Sequence, residues 1–102
     1  LKQFDVFENP ASGARHYAPY VVVLSSHLLM DFDDAVVAPL VNDATRLVSD
    51  LEIAVDLSGE ALTLVVVELS TLRAGELRRR VASLRNQEFE IRRALDRLFT
   101  GF

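Results

Sequence analysis

Before about residue 70, β-branched and aromatic residues come in short blocks separated by turn formers; after it, Leu, Arg, Glu and Ala dominate. In Gln3–Phe7, Phe4 alternates with Asp5 and Val6, which predicts a short strand with one wet face. Asn9-Pro10-Ala11-Ser12-Gly13 supplies turn geometry and no core, so an exposed loop is expected there. Tyr20–Leu24 is continuously apolar and β-branched, the pattern of a strand buried on both faces. Asp31–Asp34 breaks it with an acidic turn. Val36–Val41 reads as a third strand, and its Pro39, which cannot donate to a ladder, places it at an edge or a bulge. Glu52–Leu57 and Leu62–Val67 flank Ser58-Gly59-Glu60 and predict a β-hairpin. Short strands at about ten-residue spacing point to a small sandwich or barrel.

The C-terminal third predicts a helix. At 100° per residue, Leu84, Ile91, Ala94, Leu95 and Leu98 fall in one narrow stripe, with Arg92, Arg93, Asp96 and Arg97 on the other side. Glu88 precedes Arg92 by one helical turn, the favourable order for an ion pair worth about 0.2–0.5 kcal/mol. Arg97 suits the negative end of the helix dipole. The helix is expected to stop around Phe99, with Gly101 as a left-handed cap. Glu76–Leu84 has helical propensity, but Gly75 separates it from the strand-like stretch before it, and local sequence leaves its state open.

Composition narrows the function. The 102 residues suit one domain, 1–102, which can bury roughly two-thirds of its unfolded surface without a metal or disulfide. The absence of cysteine excludes a disulfide framework, a thiolate nucleophile and a zinc ribbon. No apolar run approaches the roughly 18–20 residues of a membrane span, and no charged-then-apolar leader is present, so a cytoplasmic protein without cofactor or membrane partner is expected. The net charge of −4 argues against non-specific nucleic-acid binding. Ser25, Ser26 and His27 near Asp31, Asp33 and Asp34 invite a triad, but triad members converge from distant segments, whereas these are consecutive. The three aspartates lack the pattern of a calcium loop, and a solvated turn is the expected reading. His16 and His27 have no pairing at metal-ligand spacing. Arg78-Arg79-Arg80 reads as a solvated helical face.

The chain end carries more information. Leu98-Phe99-Thr100-Gly101-Phe102 places two phenylalanines in the last four residues. Phe102 can fold back in a capping motif, enter a partner's pocket, or pack on a second subunit. Its fold-back partners would be Asp96 and Arg97, neither of them apolar. Phe89 lies on the polar side of the helix, where Arg93 can stack on it.

Taken together, these segments carry a resemblance. Gln3-Phe4-Asp5-Val6-Phe7, Pro19 through Leu29, Val37-Ala38-Pro39-Leu40, Ala94-Leu95-Asp96 and Phe99-Thr100-Gly101-Phe102 stand in the order of the motifs of the CcdB toxins of bacterial toxin–antitoxin modules. The sequence resembles that family from end to end. The resemblance implies a mainly β fold, an SH3-like barrel with a smaller accessory sheet and a C-terminal helix, assembled as a homodimer. It implies a toxin that binds the A subunit of DNA gyrase, traps it while DNA is cleaved, and is neutralised by a CcdA-like antitoxin. The toxin–antitoxin complex would repress its own operon, with DNA contacted through the antitoxin. The gyrase-facing set carried over position by position is Gln3, Phe4, Ser26, Leu28, Leu29, Asp96, Thr100, Gly101 and Phe102. Thr100 stands where a tryptophan can occur in the best-known form and loses a large stacking surface; Phe102 stands where isoleucine is usual. His27 and Val23 each replace an aspartate, and the tract after Gly75 lacks the family's valine-rich pattern. The same barrel serves messenger-RNA-cleaving toxins of the MazF and Kid type, which need a basic groove and a placed acid–base pair, neither of which the sequence offers. An inactive relative that only titrates antitoxin is a third reading.

Overall fold

The computed structural model describes residues 1–26, 33–43 and 49–101. Among the described residues seven strands precede a helix: β1 (Asp5–Glu8), β2 (Tyr20–Val23), β3 (Asp34–Val41), β4 (Glu52–Leu57), β5 (Glu60–Val65), β6 (Ser70–Arg73), β7 (Arg80–Ser83) and α1 (Glu88–Thr100). They form one curled sheet in the order β4-β5-β3-β2-β1-β7, with β6 branching from β3, so the fold is mainly β with a C-terminal helix, as the sequence implies. All the pairings are antiparallel.

The β2 pattern is met on both faces. Val22 and Leu24 enter the main core under α1, while Val21 and Val23 join Phe7, Ala35, Val37 and Leu77 on the other side. The wet face expected for β1 is absent. Asp5 is only 3% exposed. Its carboxylate meets the Arg80 guanidinium at 3.1 Å and accepts the Lys2 backbone N–H at 2.9 Å, which satisfies a charge that burial alone would penalise. Asn9, expected in an exposed loop, is also buried: its Nδ2 donates to the Ala18 carbonyl at 2.8 Å and its Oδ1 accepts from the Ala11 N–H at 3.0 Å, latching the loop across its base.

Strand β3 is central, not an edge. It pairs with β6 through Val37 and with β5 from Leu40, so Pro39 lies in the gap between the two partners, opposite Val21 of β2. A residue without an N–H fits where the ladder is interrupted. The hairpin turn is two residues, Ser58 (φ 52°) and Gly59 (φ 88°), both left-handed as a twisted hairpin requires. β5 starts at Glu60 and ends at Val65, earlier at both ends than the pattern suggests, and a 3-10 turn follows at Val66–Glu68.

Glu76–Leu84 resolves against helix. A 3-10 turn at Ala74–Glu76 leads to β7, which lies beside β1 with a bulge opposite Val6 and Phe7. Arg78–Arg80 therefore run into a strand, not along a helical face, and Arg79 and Arg80 pair with Glu8 and Asp5. Long-range pairing and the buried carboxylate override local propensity here.

The helix stripe is met. Ile91 and Ala94 are buried, and Leu95 and Leu98 pack half-buried on the core. A 3-10 turn at Arg85–Gln87 precedes α1, and Glu88 and Glu90 in its first turn complement the helix dipole. Glu88 pairs with Arg92 at 2.7 Å. Among the described residues no helix is long and apolar enough to cross a membrane. Ile91 is 0% exposed and Phe89 is 87% exposed. Ile91→Ala is expected to lose about 2–5 kcal/mol and Phe89→Ala less than about 0.5 kcal/mol in urea denaturation.

Candidate partner-binding site

The site begins at Phe4, which joins four segments of the chain. Its N–H donates to the Val23 carbonyl at 2.7 Å, and its carbonyl accepts the Leu84 N–H at 2.8 Å. Phe4 is fully buried and has φ 73°, a left-handed conformation that costs an L-residue roughly 1–2 kcal/mol. Burial of a phenylalanine side chain, worth about 1.5–3 kcal/mol, offsets that cost. The preceding residue, Gln3, donates from Nε2 to the Leu24 carbonyl at 2.8 Å. From the helix, the Arg92 guanidinium lies over the Phe4 ring, 5.5 Å from its centroid, and donates to Gln3 Oε1 at 3.4 Å.

One helical turn beyond Arg92 the surface opens. A cavity of about 330 Å³ is lined by Leu24, Ser25, Val36, Leu69, Leu95 and Phe99. Ser25 turns its hydroxyl oxygen inward to accept the Val36 N–H at 3.1 Å, so its polar atom serves the sheet and the lining is almost wholly apolar. Phe99 is 69% exposed on one wall. The cavity sets the end of β2 across from the last turns of α1. Asp96 and Thr100, each next in sequence to a lining residue, are exposed, and the Thr100 hydroxyl donates to the Asp96 carbonyl. Gly101 ends the helix at φ 78° with its N–H on the Arg97 carbonyl at 3.0 Å. Among the described residues, apart from its chain neighbours, no atom lies within 4 Å of where a Cβ would stand on Gly101, so that position is open.

The structure thus sorts the predicted site residues. Gln3 and Ser26 are half-buried near the end of β2, and Asp96, Thr100 and Gly101 form the exposed end of α1. Phe4 has its ring wholly inside the fold, beneath this surface. Leu28, Leu29 and Phe102 lie outside the described residues, as do His27 and Asp31. Among the described residues no group of His, Cys, Asp and Glu could hold a metal ion. The expected Arg93–Phe89 stacking is not the ring contact observed, which is Arg92 on Phe4. Sequence reading left Val36, Leu69 and Arg92 out of the site. Two belong to strands or loops whose apolar residues read as ordinary core, and the third read as one arm of a surface ion pair.

Comparison with known proteins defines the class. The profile of the family described as CcdB protein matches residues 3–101, and the chain belongs to that family, the toxins of toxin–antitoxin modules. Among solved structures, the crystal structure of an Mtb toxin is similar, with a TM-score of 0.66 at 20% identity over 78% of this chain and 91% of that one. At that identity the likeness speaks for the fold. No curated protein matches the sequence.

Because only backbone conformation opposes a side chain at Gly101, Gly101→Ala and Gly101→Leu are expected to lose similar stability, roughly 1–2 kcal/mol. In thermal denaturation that is a drop of about 4–8 °C for each kcal/mol. A much larger loss for the leucine than for the alanine would mean that the tip packs inside the fold.

Proposed function

We propose that this chain is a gyrase poison. It binds the A subunit of DNA gyrase through the exposed end of α1 and the neighbouring end of β2, and traps the enzyme on cleaved DNA. It carries no chemistry of its own; binding energy alone holds the enzyme in its cleaved state. A CcdA-like antitoxin neutralises it, and the toxin–antitoxin complex represses the operon through DNA contacts made by the antitoxin. Family membership supports this reading, and one observation carries it to specific residues. The Asp96–Gly101 turn is exposed and ends in a glycine with open space around it, where a partner's backbone can approach closely.

A homodimer fits the same surface. The strand residues Val21–Leu24 are buried within their own chain. Apolar surface is open instead in the cavity walled by Phe99. We place the second subunit there, where an exposed aromatic beside an apolar hollow supplies a buried anchor.

Incubation with purified gyrase and supercoiled DNA is expected to accumulate linear DNA, and addition of the antitoxin to reverse it. RNA incubated with the chain alone should remain intact. Gly101→Leu is expected to abolish linear DNA while the variant stays folded. If excess wild-type protein yields no linear DNA, the reading fails.

A further inference from the structure

Arg92 makes three contacts, two of which a surface ion pair does not require. Its Nε donates to Glu88 Oε2 at 2.7 Å, its Nη2 to Gln3 Oε1 at 3.4 Å, and its guanidinium covers the buried Phe4 ring. Glu88 is itself held from the other side, its second oxygen 3.6 Å from Arg85. Gln3 in turn grips the Leu24 carbonyl, at the point where β2 ends and Ser25 and Ser26 follow.

We infer that Arg92 is a positioning residue, which fixes the half of the binding surface built from Gln3 and the end of β2 against the helix that carries the other half. This rests on the site proposed above. Residues 1 and 2 are exposed, so the side chains that fasten the segment before β1 to the rest of the fold begin at Gln3. Without Arg92, the Gln3 amide keeps one hydrogen bond instead of two, and nothing on α1 holds its Oε1. Asp96 lies one turn beyond Arg92, and Thr100 two turns, on the same side of the helix. A shift of the N-terminal segment therefore changes the distance between the two halves without unfolding either. Lysine cannot substitute, because one ammonium cannot be a fork for two oxygens and a flat cation over a ring at once.

The test uses the full chain with Arg92→Ala, Arg92→Lys, Gln3→Ala and the Gln3→Ala/Arg92→Ala double variant. Two readouts are taken: affinity for the gyrase A subunit, and hydrogen exchange at the Ser25 and Ser26 amides. Arg92→Ala should weaken affinity on the order of tenfold, and Arg92→Lys nearly as much. In the Gln3→Ala background the Arg92→Ala change should cost less than about twofold, since the two share one route. Exchange at Ser25 and Ser26 should rise several-fold in Arg92→Ala, with no gyrase present. Unchanged exchange, or losses that multiply independently in the double variant, would overturn the inference and make Arg92 a direct contact. If wild-type protein fails to bind gyrase, the functional reading falls, and the exchange measurement still judges the positioning role.

Discussion

The arrangement depends on a bulky residue held in a conformation that bulky residues avoid. Phe4 turns left-handed so that the backbone of one residue can reach two partners, the Val23 carbonyl on β2 and the Leu84 N–H before α1. The same turn points its ring into the core that α1 closes with Ile91 and Ala94. Backbone strain of this size persists only where the surroundings over-determine it. Here they do so with two backbone bonds, full burial and a cation over the ring. The segment before β1 and the helix α1 are consequently fastened at one place, although the strands of the sheet separate them in sequence.

That fastening divides the helix into two parts with different roles. Its inner stripe belongs to the fold, while its last turn, from Asp96 to Gly101, is supported from behind and left bare in front. A rigid element with an unburied end is suited to binding a partner, because little conformational freedom remains to be lost on association. The apolar cavity beside it has the opposite character: its one hydroxyl, on Ser25, is engaged with the sheet, and shape and burial select its occupant. One surface thus offers two kinds of contact, one close-approach and polar, one purely hydrophobic.

Much of this was legible in the sequence, for reasons that differ between elements. Period and β-branching identified β2, the β4–β5 hairpin and the α1 stripe, because in each most of the large apolar positions are the ones that face the core. β1 and β7 were harder to read. The charge on Asp5 looked like a solvated position, and only its neighbour Arg80, distant in sequence, makes it a buried one. Propensity in Glu76–Leu84 favoured helix, whereas pairing with β1 decides strand. Pro39 signalled an interruption correctly, but in a branched sheet the interruption lies in the middle strand. Phe4 looked like a surface residue by resemblance and is a core residue by geometry, since a positive φ leaves no mark on the pattern of hydrophobic positions. The cavity could not be read at all, because each lining residue is an ordinary core type and only their shared vacancy is informative.

The most direct test of the central claim maps contact residue by residue: amide chemical shifts of the labelled full-length chain, followed as the gyrase A subunit is added. Shifts should concentrate at Gln3, Ser26, Asp96, Thr100 and Gly101, with the Phe4 ring signals keeping their buried environment. Perturbation centred on the β4–β5 hairpin, or exposure of the Phe4 ring on binding, would contradict it.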